Sequence, residues 1–480
     1  MTVEAIRLQN FMAFQDTGWV ELRPITLLFG RNSSGKSVLI RALLLLKQSL
    51  RCVAEDQPFV FFDPYGVDVG GFREIVHNGE EDRHIWFHFR CSSSAIQDAL
   101  ERLRKLGIIS TEPSLPAALQ LVLCYAARRE APGEIDSSRI DLVNLQIRLG
   151  NDDQGAEGLL FQAGLLEPED IDRFEGERWY VEGLLAHDER EGVWRGFDCR
   201  LDRGFLDFKF TVPQVGAFQG YNAVIDLFSL LKQEVESFLR GIVHLGPIRP
   251  MPQRRYSFDR AAEREWTARD WTAFLDFIGG KMGQEETSEI NAWLKRLQLA
   301  VAADPRPTSE SGALVAEREL AIAESEGLVL PLSAMGFGTA QVLPVIVQCI
   351  KAKPGSLVIV EQPELHLHPR AQAEIGDLFL MKALGRKHDN HALRLPCFLL
   401  ETHSEHIILR LMRRMRNTVR NELPEQIPET SPEHVGVYVV DRHKEERLST
   451  IHLMELGVEG QLLEPWPGGF FEEDFVERFA

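Results

Sequence analysis

Residues 30–37 read GRNSSGKS, which fits G-x-x-x-x-G-K-[ST], and no other stretch of the 480-residue chain constrains its fold as much. Four specified positions recur by chance in a chain of this length in roughly 1–2% of cases. The flanks are those the motif requires. An apolar, β-rich run, ITLLF at 25–29, ends at Gly30, and VLIRALLLLKQSL after Ser37 has helical length and strong helix formers. Strand, glycine loop and helix in succession predict an α/β layer structure. The glycines let backbone N–H groups turn inward on an anion, and the helix start adds partial positive charge. Lys36 is then expected to reach the β- and γ-phosphates of a nucleotide, and the Ser37 hydroxyl to ligate Mg²⁺.

A second group of motifs lies far downstream. SLVIV (356–360) is a buried-strand pattern ending in Glu361-Gln362-Pro363-Glu364. An apolar strand ending in a carboxylate supplies what a Mg²⁺-proximal group needs. CFLLETHSEH (397–406) is another apolar strand, ending in Thr402-His403-Ser404, and a histidine there can hydrogen-bond a γ-phosphate or its attacking water. LSAMGFGTAQVLPVIV (332–347) sets Ser333 and two glycines before a helix, a second potential anion-binding helix start. One nucleotide cannot easily use two such starts. A dimer resolves this, with each loop capping the nucleotide held by the other subunit.

Composition narrows the function classes. Lys+Arg 53 against Asp+Glu 72 gives −19, so the surface as a whole repels polyanions and any DNA contact needs a local basic patch. Hydrophobic residues at 44% and charged residues at 26% exclude a disordered or fibrous chain. No apolar run reaches the roughly 18 to 20 residues of a membrane span. The start, MTVEAIRLQNF, reads as a strand and not as a secretion signal, and the six cysteines form no CxxC pair. A reduced, cytoplasmic protein is expected.

In this order, GRNSSGKS, LSAMGFG, VIVEQPELHLHP and ETHSEH resemble the ABC-type ATPase heads of the SMC, RecF and OLD-like superfamily, and most of all the small bacterial ATPases that accompany phage-defence nucleases. The stretch VGVYVVDRHKEERLSTIHLMEL with EPWPGGFFEEDF is similar to a tail of unknown function found on such ATPases. The likeness covers about 1–92 and 325–480 well, and the middle only loosely. It implies ATP and Mg²⁺ as cofactors. Gly30, Asn32, Ser33, Ser34, Gly35, Lys36 and Ser37 become the phosphate loop, and Ser333, Gly336 and Gly338 the signature loop, though its sequence departs from the usual LSGG form. Glu361 takes the metal-associated acidic position beside Ser37, ELHLHP the loop at the dimer interface, and His403 the switch position. It further implies a homodimer or higher oligomer closed across ATP, and a nuclease or toxin effector in bacterial phage defence. The alternatives are a RecF-like repair ATPase that binds DNA across the closed dimer, and a scaffold that uses ATP without hydrolysing it.

One departure bears on mechanism. ABC-type heads usually carry the catalytic glutamate directly after the acidic strand end, where this chain has Gln362. A glutamine cannot accept a proton, and general-base help is worth about 10²–10⁴-fold. It can orient a water, as in some GTPases, while Glu364 is an alternative base. Slow hydrolysis and a long-lived ATP-bound dimer are expected.

The remaining features have plainer readings beside functional ones. His366 and His368 lack a third ligand at recognisable spacing, which zinc would need. Arg410, Arg413, Arg414, Arg416 and Arg420 form either a solvated or acid-paired helix face, or a contact to nucleic acid or an acidic partner. Arg249, Arg254 and Arg255 with Tyr256 and Phe258 fit interdomain packing as well as base stacking. Gln48 reads as the end of a buried helix more readily than as a nucleotide contact, and Trp266, Trp271 and Phe274 as helix-packing core. The middle of the chain has neither the sustained heptads nor the CxxC of a long coiled-coil arm, and Asp441 is not part of the D-x-D that an appended Toprim nuclease would carry.

The expected fold is an α/β ABC-type P-loop ATPase head with inserted β and helical subdomains. It divides into an N-terminal half-head (1–92), an inserted arm or lid (93–325), a C-terminal half-head (326–410), and a C-terminal helix with a sheet-capping tail (411–480). Residues 94–130 read as helical, and DPRPTSESG at 304–312 as a linker.

Overall fold

The computed structural model describes residues 2–51, 57–105, 118–131, 134–149, 159–165, 179–182, 198–201, 206, 208–211, 219–258, 263–264, 270–308, 317–325, 327–385, 395–443 and 448–466. Five short apolar runs and one antiparallel hairpin arm build its central sheet. They are β1 (Ile25–Phe29), β2 (Ile242–Leu245), β3 (Leu357–Glu361), β4 (Cys397–Glu401), β5 (Val435–His443) and β6 (Leu448–Met454). Their order is β2-β3-β4-β1-β5-β6, parallel except for the β5/β6 pair.

The strands are nearly continuous apolar runs because both faces are covered. All five residues of β1 are buried. Leu28, Leu357, Ile359 and Leu399 point into one core, and Leu27, Val358, Val360 and Leu400 into the other, as the two-residue period of a strand dictates. Helix α1 (Lys36–Ser49) fills the first core through Leu39, Leu43 and Leu46. Three helices fill the second: α2 (Phe337–Lys351), α3 (Pro369–Leu384) and α4 (Glu405–Val419). Ligands of open parallel sheets bind beyond the carboxyl ends of the strands. That edge carries the loop after β1 and the ends of β3 and β4.

Three further antiparallel sheets are described, the smallest a pair of strands, Asp198–Leu201 with Phe208–Thr211. An eight-stranded sheet runs through Val3–Phe11, Ile85–Cys91, Leu119–Ala131 and Glu134–Leu149, and a four-stranded sheet contains Tyr256–Ser257, Ala302–Pro307, Glu317–Ser325 and Leu328–Pro331. Strand and segment boundaries do not coincide. Residues before and after 92 share the eight-stranded sheet, β2 comes from the inserted region, and β5 and β6 bring the tail into the central sheet beside β1.

Two sequence expectations are corrected. The helix is described over Ser94–Lys105, residues 106–117 lie outside the described residues, and Leu119–Ala131 is a strand paired on both sides, with Ile85–Cys91 and Glu134–Leu149. Its mainly apolar start, LQLVLC, is buried on both faces, Gln120 included, as suits an inner strand. Residues 302–307 form the edge strand of the four-stranded sheet, where Pro305 and Pro307 are tolerated because an edge can do without their N–H groups; residues 309–312 lie outside the described residues.

Candidate functional site: a phosphate loop beside two carboxylate strand ends

The loop between β1 and α1 can be built only with glycine at its ends. A Cβ on Gly30 would sit 2.2 Å from the Val440 carbonyl oxygen of β5. Gly35, at φ 109°, precedes α1 without a side-chain cap. Ser33 adopts a left-handed φ of 63° between them. Asn32 and Ser33 are exposed, whereas Ser34 is buried with its hydroxyl oxygen unpartnered. Part of this shape comes from far along the chain. The Ser449 hydroxyl of β6 donates to the Ser34 carbonyl (2.7 Å), and Arg442 Nη1 donates to the Ser33 carbonyl (3.3 Å).

Lys36 and Ser37 open α1 at the carboxyl end of the sheet. The Lys36 ammonium donates to the carbonyls of Gly30 and Arg31, both at 2.8 Å. Burial pulls its pKa below the usual lysine value, and the nearby Glu401 carboxylate opposes that shift. Ser37 Oγ donates to Glu401 Oε2 at 2.9 Å. Burial, and then the neighbouring Glu361, raise the Glu401 pKa above the ordinary glutamate value, with Ser37 and Lys36 acting against them.

Glu361 and Glu401 are register partners at the ends of β3 and β4. Glu361 Oε1 lies 2.6 Å from His244 Nε2, one residue before the end of β2. Arg249, almost fully buried, reaches under the loop after β3 and donates to the carbonyls of Glu361 (2.7 Å) and Gln362 (3.1 Å). Gln362 takes a left-handed φ of 48°, and its N–H donates to the Glu401 carbonyl (2.7 Å). Glu364 Oε1 accepts the His403 N–H (2.8 Å), while Oε2 is buried and unpartnered; burial raises its pKa. His403 is pushed below the usual histidine value by burial and then by Lys36, which favours the neutral ring. Ser404, next in the chain, caps α4: its oxygen accepts from Ile407 N (3.4 Å) and its hydroxyl donates to Gln372 (2.7 Å).

The glycine-bearing loop before α2 stands apart. Ser333 and Gly336 are exposed, and no hydrogen bond among the described residues joins Ser333, Gly336 or Gly338 to the phosphate loop. Gly338 is required locally, since a Cβ there would meet the His366 carbonyl oxygen at 2.7 Å; Gly336 has open space around it. His368 serves as the cap of α3, its Nδ1 accepting from Arg370 N (3.3 Å). Among the described residues no group of three His, Cys, Asp or Glu side chains is arranged to hold a metal unaided.

The basic clusters divide, with Arg254, Arg255 and Arg420 exposed, and the aromatic residues turn inward. Arg410 and Arg414 bond the fully buried Asp377, as does Arg296 from the helix Gln284–Arg296. Arg410 and Arg296 also bond Glu374. Arg413 and Arg416 remain exposed. Tyr256, Trp271 and Phe274 are buried, and Trp266 lies outside the described residues. Gln48 is buried at the end of α1, bonded to Val60 and Val67. No described helix is long and apolar enough to cross a membrane.

Sequence reasoning missed Glu401, His244, the backbone clamp of Arg249, and Ser449. For Glu401 the signal was present, because CFLLE obeys the same rule of an apolar strand ending in a carboxylate that selected Glu361.

Residues 257–409 match a family model described as "AAA domain, putative AbiEii toxin, Type IV TA system". That segment holds the loop before α2 and strands β3 and β4, and stops short of the phosphate loop. No curated protein matches the chain. Among solved structures it is similar to an SMC head domain from Thermotoga maritima, at 11% identity and TM-score 0.37, covering 95% of this chain and 100% of that one. It is also similar to an SmcHead bound to the C-winged helix domain of ScpA, at 10% identity and TM-score 0.39, covering 95% and 99%. A third is an Smc head domain with an extended coiled coil bound to the C-terminal domain of ScpA, derived from Pyrococcus furiosus, at 9% identity and TM-score 0.38, covering 95% and 96%. The family match covers residues 257–409, and the strand, glycine loop and helix at Ile25–Ser49 with the parallel strand order give an α/β fold of P-loop type.

Proposed function

We propose that the chain is a Mg-ATP-dependent switch that hydrolyses slowly, closes as a homodimer across nucleotide, and through closure controls a toxin or nuclease effector in bacterial phage defence. The observation that carries the reading is the convergence of Lys36, Ser37 and two carboxylate strand ends at one edge of the sheet, with Gln362 following the first carboxylate. The residues fit the cofactors. The Ser34 hydroxyl is a buried polar group without a protein partner at the loop's centre, and the carboxylate and hydroxyl oxygens are the hard donors Mg²⁺ prefers. With no all-protein cage among the described residues, the ion would be shared with phosphate oxygens, which is how Mg²⁺ is usually held. Bound Mg²⁺ would neutralise charge on the β- and γ-phosphate oxygens.

In this reading Gly30, Asn32, Ser33, Ser34 and Gly35 present backbone N–H groups to the phosphates, and Lys36 swings from its two carbonyl acceptors onto them. Gln362 orients the attacking water without accepting its proton. Glu364, with one buried carboxylate oxygen free, takes the proton, and neutral His403 contacts the γ-phosphate. Ser333 and Gly336, which are exposed, and Gly338 beside them, all without a hydrogen bond to the phosphate loop of their own chain among the described residues, face the nucleotide of the second copy. Residues 93–325 act as the arm that meets the effector. The effector follows the wording of the family model, which names a toxin. A cytoplasmic location accompanies the reading. DNA held across the dimer is the weaker alternative, because Arg410 and Arg414 are already spent on internal carboxylates.

The test is solution mass and nucleotide binding for wild type, Lys36→Ala and Gln362→Glu without nucleotide, with ADP and with Mg-ATP. Wild type should dimerise with Mg-ATP alone, Lys36→Ala should bind none, and Gln362→Glu should dissociate sooner as hydrolysis rises by about 10²–10⁴-fold. A mass indifferent to nucleotide, or wild-type single turnovers faster than about one per second, would sink the timed switch.

A further inference from the structure

Four neighbouring strand ends line up a relay of side chains. His244 stands one residue before the end of β2, Glu361 ends β3, Glu401 ends β4, and Ser37 opens α1 after the loop that follows β1. The contacts run along that row: His244 Nε2 to Glu361 Oε1 at 2.6 Å, Glu361 beside Glu401 in register, and Ser37 Oγ to Glu401 Oε2 at 2.9 Å. Neighbouring strands are about 4.8 Å apart. Glu401 is therefore one strand from the phosphate-loop strand and Glu361 two. The carboxylate that the resemblance assigns to the metal is the more distant of the pair, and it is engaged by a histidine on its far side.

Glu401 is also the less compensated carboxylate. Its residue is 7% exposed, and among the described residues it forms no ion pair. The Lys36 ammonium donates to two loop carbonyls and acts on Glu401 by charge only, and Arg249 bonds the backbone oxygens of Glu361 and Gln362. A buried carboxylate at Glu401 beside the partly buried Glu361, with no guanidinium or ammonium bonded to Glu401, is costly unless a cation joins them.

We infer that Glu401, acting with Ser37, is the principal protein carboxylate of the nucleotide-bound Mg²⁺ site, and that Glu361, held by His244, is its positioning neighbour. The inference rests on the nucleotide-binding reading above and names a metal-site residue within it.

The experiment measures Mn²⁺ affinity of the preformed protein–ATP complex by electron paramagnetic resonance, beside ATP affinity in EDTA. Wild type, Glu401→Gln, Glu361→Gln and Lys36→Ala are compared. Glu401→Gln keeps the shape and can still accept the Ser37 hydroxyl. It should bind ATP in EDTA as tightly as wild type or tighter, with like charge removed, while its Mn²⁺ affinity falls by about 10–100-fold. Glu361→Gln should lose less than Glu401→Gln. Unchanged Mn²⁺ affinity in Glu401→Gln, or a larger loss in Glu361→Gln, overturns the inference. Failure of wild type to bind ATP in EDTA, or equal binding by Lys36→Ala, instead overturns the nucleotide-binding reading beneath it. If Glu401→Gln folds poorly, Glu401→Asp serves: it keeps the charge but draws it back from Ser37, and it should weaken Mn²⁺ in the same direction; wild-type affinity there also overturns the assignment.

Discussion

Gln362 holds a left-handed φ of 48°, a conformation that costs a non-glycine residue about 1–2 kcal/mol. Its N–H and C=O are both taken, by the Glu401 carbonyl and by Arg249, so the backbone is fixed by neighbours and not by the amide side chain. Gln362→Glu therefore tests chemistry rather than folding. Single residues were legible where chain neighbours define their role, as with Lys36 and Ser37, and illegible where the partner is distant: Ser37 and Glu401 are 364 positions apart. His88 makes the same point for pH. It lies between Gln9 and the rings of Trp19 and Trp86 on the strand Ile85–Cys91, and burial, followed by the charge of Arg7, pushes its pKa down to about 3. The unfolded chain takes up a proton near 6.5 and the folded one does not until about 3, so stability falls as pH drops through that window. The loss should reach about 2 kcal/mol by pH 5. Urea unfolding at pH 7.5 and pH 5.0 should show His88→Gln losing less than wild type by about that amount. Equal losses would mean that His88 stays accessible to protons.

Among the elements, strand β1, its loop and α1 could be read directly, because apolar run, glycines and helix formers are contiguous. β2 could not. It is four residues long, sits between a long helix and a proline-rich turn, and pairs with β3, whose partner residues lie 115 positions away, as in Ile242 with Leu357. The hairpin β5–β6 lies in the segment read only as a sheet-capping tail, and its position beside β1 was not legible, since register is set by the sheet. That position matters for the phosphate loop. Val440 leaves no room for a side chain on Gly30, and Ser449 ties the Ser34 carbonyl. Ser449→Ala removes a buried hydrogen bond worth about 1–3 kcal/mol. ATP affinity should fall by about 3–10-fold with modest thermal destabilisation. Unchanged affinity in isothermal titration would show that the loop holds its shape without the hairpin.

Across the whole molecule, a net charge of −19 coexists with a helix carrying five arginines between 410 and 420, and the packing resolves the contrast. Asp377 is fully buried on α3 and collects Arg410 and Arg414 from α4 and Arg296 from the helix Gln284–Arg296, which joins the inserted region to the sheet-packing helices. The sequence run looked like one patch because spacing alone cannot distinguish arginines that face a carboxylate on another helix from those that face water. The two classes should separate cleanly by mutation. Arg414→Ala leaves Asp377 short of a buried partner and should cost about 3–5 kcal/mol, with Arg410→Ala losing somewhat less. Arg413→Ala, on the exposed face of the same helix, should stay within about 0.5 kcal/mol. Urea midpoints at constant slope measure all three. A large loss at Arg413, or none at Arg414, would place the arginines differently and return the helix to the candidates for polyanion binding. If instead the ordering holds, the three remaining exposed arginines, Arg413, Arg416 and Arg420, the last 3.5 Å from Glu459, are too thin a basic stripe to offset the net negative charge, and duplex DNA should bind only weakly at physiological salt with or without ATP.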